Sequence, residues 1–245
     1  MRTATHSRWP RSIALIVALA AFLGATFSTP STAEPAAPPA PKAKSNIVHV
    51  YLLRGLFNVF STGMDGIRDK LKQRNINATV HTHLVWSSLA DEAVEDYRRG
   101  RVNKIIIIGH SLGATNAVDM ANKIGSAGVP VSLVVALDPS LKPTVTSNNV
   151  RWVVDLYLPD GMYGFKVNKE AGYTGVVENV ELRDDKVTHV SLDKVNSIQD
   201  WAIKYALKAI KEGPVAAAMK LPITPPAPAR SKSAKVSASP ATPPQ

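Results

Sequence analysis

Apolar and polar positions alternate in two rhythms between residues 46 and 213, and the rhythms take turns. Short apolar runs IVHVYLL (47–53), ATVHTHLV (78–85), KIIIIG (104–109), PVSLVVALD (130–138), VRWVVDLYL (150–158) and TGVVENVEL (174–182) read as strands. Between and after them, MDGIRDKLKQR (64–74) places Ile67 and Leu71 one helical turn apart, and SLADEAVEDYRR (88–99) opens on a Ser-x-x-Asp pattern that resembles a capping box. SLGATNAVDMANKI (111–124) and SLDKVNSIQDWAIKYALKAIKEG (191–213) complete four predicted helices. Four consecutive isoleucines in one strand imply burial on both faces, as in a parallel sheet covered by helices on either side. The expected fold class is therefore α/β, a mainly parallel sheet of six strands flanked by helices.

The ends have a different texture. Residues 1–33 carry three arginines and no acid, then an apolar run from Ile13 to Phe27, then Ser31-Thr32-Ala33. That is the pattern of a secretory signal cleaved after Ala33, and it predicts a periplasmic or secreted protein; an uncleaved membrane anchor is the alternative, although the run is shorter than the roughly 20 residues of a span. A Pro/Ala-rich linker (34–45) precedes the expected α/β domain at 46–213, and a Pro/Ala/Lys-rich tail (214–245) of disordered composition follows it. The formal charge of +10 divides into +3, +1 and +4 for signal, linker and tail, leaving +2 on 46–213. A nucleic-acid partner would require the charge on the folded body, and is not expected. The chain has no cysteine, which excludes disulfides and a thiol nucleophile.

One strand ends on a hydroxyl between glycines. Gly109-His110-Ser111-Leu112-Gly113 fits the nucleophile elbow G-x-S-x-G, with a buried strand before it and a helix after it. A turn so tight forces strained backbone on the serine and leaves no room for side chains two residues to either side. A serine needs a base, and the base an orienting acid. His189 is the single histidine downstream of Ser111 and precedes the final helix. Two acids end strands in the right chain order: Asp138 in VVALDPS and, as the alternative, Asp160 in LYLPDG, whereas Asp155 lies within its strand and reads as structural. The N–H of Leu112 is one expected oxyanion donor, and the loop after the first strand offers Leu56 or Phe57 as the second. Leu56, Phe57, Val59 and Phe60 are also expected to line an acyl pocket.

Other features take plainer readings. His81 and His83 project from the same strand face, the spacing of a metal pair, but lack an evident third ligand and read as surface or core histidines. His110 reads as a packing and hydrogen-bonding residue, and Trp86, Trp152 and Trp201 as core.

GHSLGA, LDPS and HVSLDK together resemble the α/β-hydrolase superfamily across nearly all of 46–213, most closely its small bacterial lipase- or thioesterase-like serine hydrolases. The Leu-Asp-Pro segment is similar to that of pancreatic-type lipases, where the acid follows the nucleophile's strand–helix unit; the resemblance favours Asp138. It implies hydrolysis of a small-molecule or lipid ester or thioester through an acyl-serine, without a cofactor or metal. Acyl transfer to another acceptor, and a non-catalytic lipid- or polymer-binding envelope protein tethered by its ends, are the alternatives. Departures are visible: Arg54-Gly55 stands where His-Gly is usual, the opening antiparallel strands are missing, and 138–189 is too short for a large lid.

Overall fold

The computed structural model describes residues 46–212, apart from 57–60 and 160–161. The expected signal, linker and tail, together with Phe57, Val59, Phe60 and Asp160, lie outside the described residues. In chain order the elements are β1 (Val48–Arg54), α1 (Gly63–Lys72), β2 (Asn77–Thr82), α2 (Trp86–Arg98), β3 (Lys104–His110), α3 (Leu112–Ser126), β4 (Leu133–Leu137), β5 (Thr144–Val145), β6 (Trp152–Tyr157), β7 (Asn168–Lys169), β8 (Val176–Glu181) and α4 (Asn196–Glu212). Six strands form one all-parallel sheet in the order β2-β1-β3-β4-β6-β8, and β5 pairs with β7 in a small parallel ribbon.

The isoleucine run explains the layering. Ile106 and Ile108 pack into one apolar cluster with Met64, Ile67 and Leu71 of α1 and Trp201 and Tyr205 of α4. Ile105 and Ile107 point the other way, into a second cluster with Leu89 and Val94 of α2 and Ala117, Met120 and Ile124 of α3. Period-two side chains on a strand covered on both sides must all be apolar, and all four isoleucines are fully buried. Trp152 and Trp201 are core residues as expected, while Trp86 packs only partly buried at the edge of the second cluster.

Three expectations need correcting. The strand predicted over 78–85 stops at Thr82, whose hydroxyl caps a short 3-10 turn over His83–Val85. His83 therefore leaves the strand and no longer shares a face with His81: its Nδ1–H donates to the Gly55 carbonyl (3.2 Å), and His81 instead contacts Thr79 (2.8 Å). The capping box at Ser88 does not form, because α2 already begins at Trp86; Ser88 donates to the Val85 carbonyl and Asp91 pairs with Lys123. The final helix is broken. Leu192–Lys194 make one 3-10 turn, Val195 is extended, and α4 starts at Asn196. The break turns Asp193 inward to accept the Gly63 N–H (2.9 Å), while Gln199 donates to the Asp193 carbonyl (2.9 Å).

Candidate active site

The site lies at the carboxyl ends of β1, β3 and β4, near where the strand order reverses on either side of β1, the usual crevice of open parallel sheets. Ser111 joins β3 to α3 with φ 63° and ψ −127°, a backbone region that ordinary residues avoid. The flanking glycines make the turn possible, each for its own reason. A Cβ on Gly109 would sit 2.1 Å from the Gly113 carbonyl oxygen, and one on Gly113 would sit 2.2 Å from the Leu53 carbonyl oxygen of β1. Gly55 is equally confined: a Cβ there would lie 2.7 Å from Cβ of Ser111 and 3.1 Å from its Oγ.

Ser111, His189 and Asp138 meet. His189 Nδ1–H donates to Oδ2 of Asp138 (2.6 Å), and Ser111 Oγ–H donates to His189 Nε2 (2.8 Å). Asp138 is buried and sits in the left-handed region at φ 52°, which Asp tolerates better than most residues. Its N–H donates to the Leu156 carbonyl (2.7 Å), and its Oδ1 accepts from the Leu158 N–H (2.9 Å), so one oxygen is left for His189. Gly164 closes over it at φ 89°, where a Cβ would come within 2.7 Å of Oδ1. Asp155, by contrast, is fully buried in β6 and accepts from the Val167 N–H (3.3 Å); burial pushes its carboxyl well up.

With the sheet order, the strained strand–serine–helix turn and the acid and histidine on later loops all in place, the architecture is settled. This is the minimal α/β-hydrolase fold. Among solved structures the chain is similar to the product of gene lin2722 of Listeria innocua (TM-score 0.49, 11% identity, covering 69% of this chain and 96% of that one). It is also similar to human thioesterase 2 (0.44, 10%, 67% and 96%) and to Est1E from Butyrivibrio proteoclasticus (0.40, 13%, 68% and 89%). No protein-family model and no curated protein matches the sequence.

Beside Ser111 and His189 lies a cavity of ≈ 330 Å³ walled by Leu56, Leu112, Leu141, Tyr163 and Val190. Leu112 is the first residue of α3, so its N–H has no partner within the helix and opens toward Ser111 at the positive end of the helix dipole. The Leu56 N–H has no acceptor among the described residues, and the preceding Gly55 abuts Ser111. Phe57, the other candidate donor, lies outside the described residues.

Several residues at the site were not anticipated. Tyr163 lays its ring against the imidazole of His189 (centroids 4.3 Å apart). Ser140 places its Oγ 2.8 Å from Oγ of Ser111. Behind the site, a buried relay ties three segments together. His110 Nε2–H donates to the His189 carbonyl (2.8 Å), which can only accept, so its Nδ1 is the acceptor for the Ser61 hydroxyl (2.8 Å). Ser61 in turn accepts the Gly55 N–H (3.0 Å). Burial lowers the His110 imidazole to about 4 and keeps it neutral. His110 thus behaves as the packing and hydrogen-bonding residue expected from sequence. Asp193 sits 3.9 Å from His110 Nδ1 with one oxygen unpartnered, and burial raises its carboxyl to about 6. Only LDPS hinted at any of this, since Ser140 follows Asp138 by two residues; Ser61 and His110 are separated by 49 positions.

Proposed function

We propose that the chain is a serine hydrolase that cleaves carboxylic esters or thioesters through an acyl-serine intermediate. The observation that carries this is the unbroken hydrogen-bonded line from Asp138 through His189 to Ser111. Asp138 fixes the tautomer of His189, so that Nε2 faces Ser111 as a base. Ser111 attacks the carbonyl carbon as its proton moves to Nε2, and the N–H groups of Leu112 and Leu56 hold the developing oxyanion. The leaving alcohol or thiol takes the proton from His189. Water then repeats the sequence at the acyl-serine and releases the acid.

The apolar walls support an apolar acyl group, and the volume, at the small end of the roughly 300–1,000 Å³ of ligand pockets, supports a modest one. The charged and apolar pattern of residues 1–33 supports action in the periplasm or beyond the cell. A panel of p-nitrophenyl esters and acyl thioesters of rising chain length tests the proposal. Turnover that falls by at least about a thousandfold in Ser111→Ala supports it; turnover indifferent to that substitution sinks it.

A further inference from the structure

We propose that Ser140 is a further catalytic residue, whose hydroxyl donates to Oγ of Ser111 and speeds release of the acyl group rather than its capture. This rests on the acyl-serine route proposed above. Counting protons fixes the direction of the contact. The Nδ1–H of His189 is engaged in donating to Asp138, and its Nε2 accepts from the one proton on Oγ of Ser111. The 2.8 Å contact between the two serines therefore has Ser140 as donor and Ser111 as acceptor.

The Ser140 hydroxyl is placed by backbone it does not itself hold. The Pro139 carbonyl accepts from the N–H groups of Gly164 (3.0 Å) and Phe165 (3.1 Å), and the Leu141 N–H donates to Oγ1 of Thr115 on α3 (3.2 Å). Ser140 is buried, and removing its hydroxyl leaves each of these bonds in place.

The two halves of the reaction treat this donor differently. In acylation, the Ser111 proton passes to Nε2, the Oγ–C bond forms, and the leaving group departs with that proton. Oγ begins as a hydroxyl oxygen, a good acceptor, and ends as the singly bonded oxygen of an ester, a poor one because its lone pair is delocalised into the carbonyl. The bond from Ser140 weakens along that path. In deacylation, water adds to the carbonyl carbon and gives its proton to His189; the C–Oγ bond then breaks, its electron pair returns to Oγ, and the proton follows from Nε2. Oγ regains charge and acceptor strength as the bond breaks, so the contact from Ser140 strengthens. Only an interaction that strengthens toward the transition state accelerates a step. Ser140 therefore favours deacylation and gives acylation no help.

Rapid-quench intact-mass measurement with a p-nitrophenyl ester yields both rate constants for the full chain and for Ser140→Ala. The deacylation constant is expected to fall about tenfold, the effect of one hydrogen bond to a charge-bearing atom, so that acyl-enzyme accumulates. The acylation constant, and the rate of fluorophosphonate labelling, are expected to stay within about twofold of the parent or to rise, because uniform losses are the mark of disturbed structure. Equal loss in both steps overturns the assignment, as does an unchanged deacylation constant. If the unaltered chain forms no adduct at Ser111, the acyl-serine route itself fails and Ser140 with it.

Discussion

Ser61→Ala probes the relay behind the site most sharply. Ser61 is fully buried, accepting the Gly55 N–H at 3.0 Å and donating to His110 Nδ1 at 2.8 Å. Alanine leaves both of those groups buried without a partner, at about 1–3 kcal/mol each, so a loss of about 2–6 kcal/mol of folding free energy is expected. In a domain of this size that lowers Tm by about 4–24 °C. The catalytic effect follows from position: Gly55 leads into Leu56, and an oxyanion N–H is worth roughly 100- to 1,000-fold in kcat, so partial misplacement costs about 10- to 100-fold with little change in KM. Urea denaturation and ester kinetics on the same preparation give both numbers. Ser61→Cys, which keeps a weak donor and acceptor, falls between. Stability within about 0.5 kcal/mol of the parent, with kcat unchanged, would refute the relay.

Three further outcomes are expected. Asp138→Asn lowers kcat by about 10,000-fold and Asp160→Asn leaves it near the parent, as steady-state ester kinetics would show; the reverse would move the acid to Asp160. Gly164→Ala places a Cβ 2.7 Å from Asp138 Oδ1 at φ 89°, so it lowers both Tm and kcat, by about 1–3 kcal/mol in the melting measurement. Asp193→Asn changes the pH profile of stability. Burial raises Asp193 from 3.8 to about 6, so the folded chain binds that proton more tightly than the unfolded one; its contribution is full below pH 3.8 and is lost as pH rises through about 6, some ~3 kcal/mol. His110, lowered from 6.5 to about 4, works in the opposite sense: its contribution is present above pH 6.5 and lost as pH falls through about 4, again ~3 kcal/mol. With Asp193 replaced, the two no longer offset, so Tm rises at pH 7 and drops more steeply than in the parent between pH 6.5 and 4. Parallel curves would contradict this.

Local rules reached the sheet and the elbow because each is written in neighbouring residues. A run of four isoleucines can only be a strand buried on both faces, and a serine between Gly109 and Gly113 needs a turn that nothing bulkier permits. Chain order nominated His189 and left Asp138 and Asp160 as acids, with the resemblance favouring Asp138; the structure brings Asp138 and His189 to one place with Ser111. What escaped depends on packing between distant segments. Thr82 ends its strand because its hydroxyl caps the next turn, and the last helix starts late because Asp193 turns in to meet Gly63, 130 residues earlier. Among the described residues, the connections 138–151 and 158–175 carry the chain between parallel strands without a helix, pairing β5 with β7 on the way, and no periodicity signals that. Ser61 and Tyr163 have no motif of their own and Ser140 only its place in LDPS; they matter by what stands opposite them.

The most direct test is to treat the protein with a fluorophosphonate and locate the adduct by peptide mass spectrometry. One equivalent on Ser111, lost in His189→Ala, is the result expected of a serine made nucleophilic by the line from Asp138 through His189. An unmodified Ser111 under conditions that leave the chain folded would contradict it.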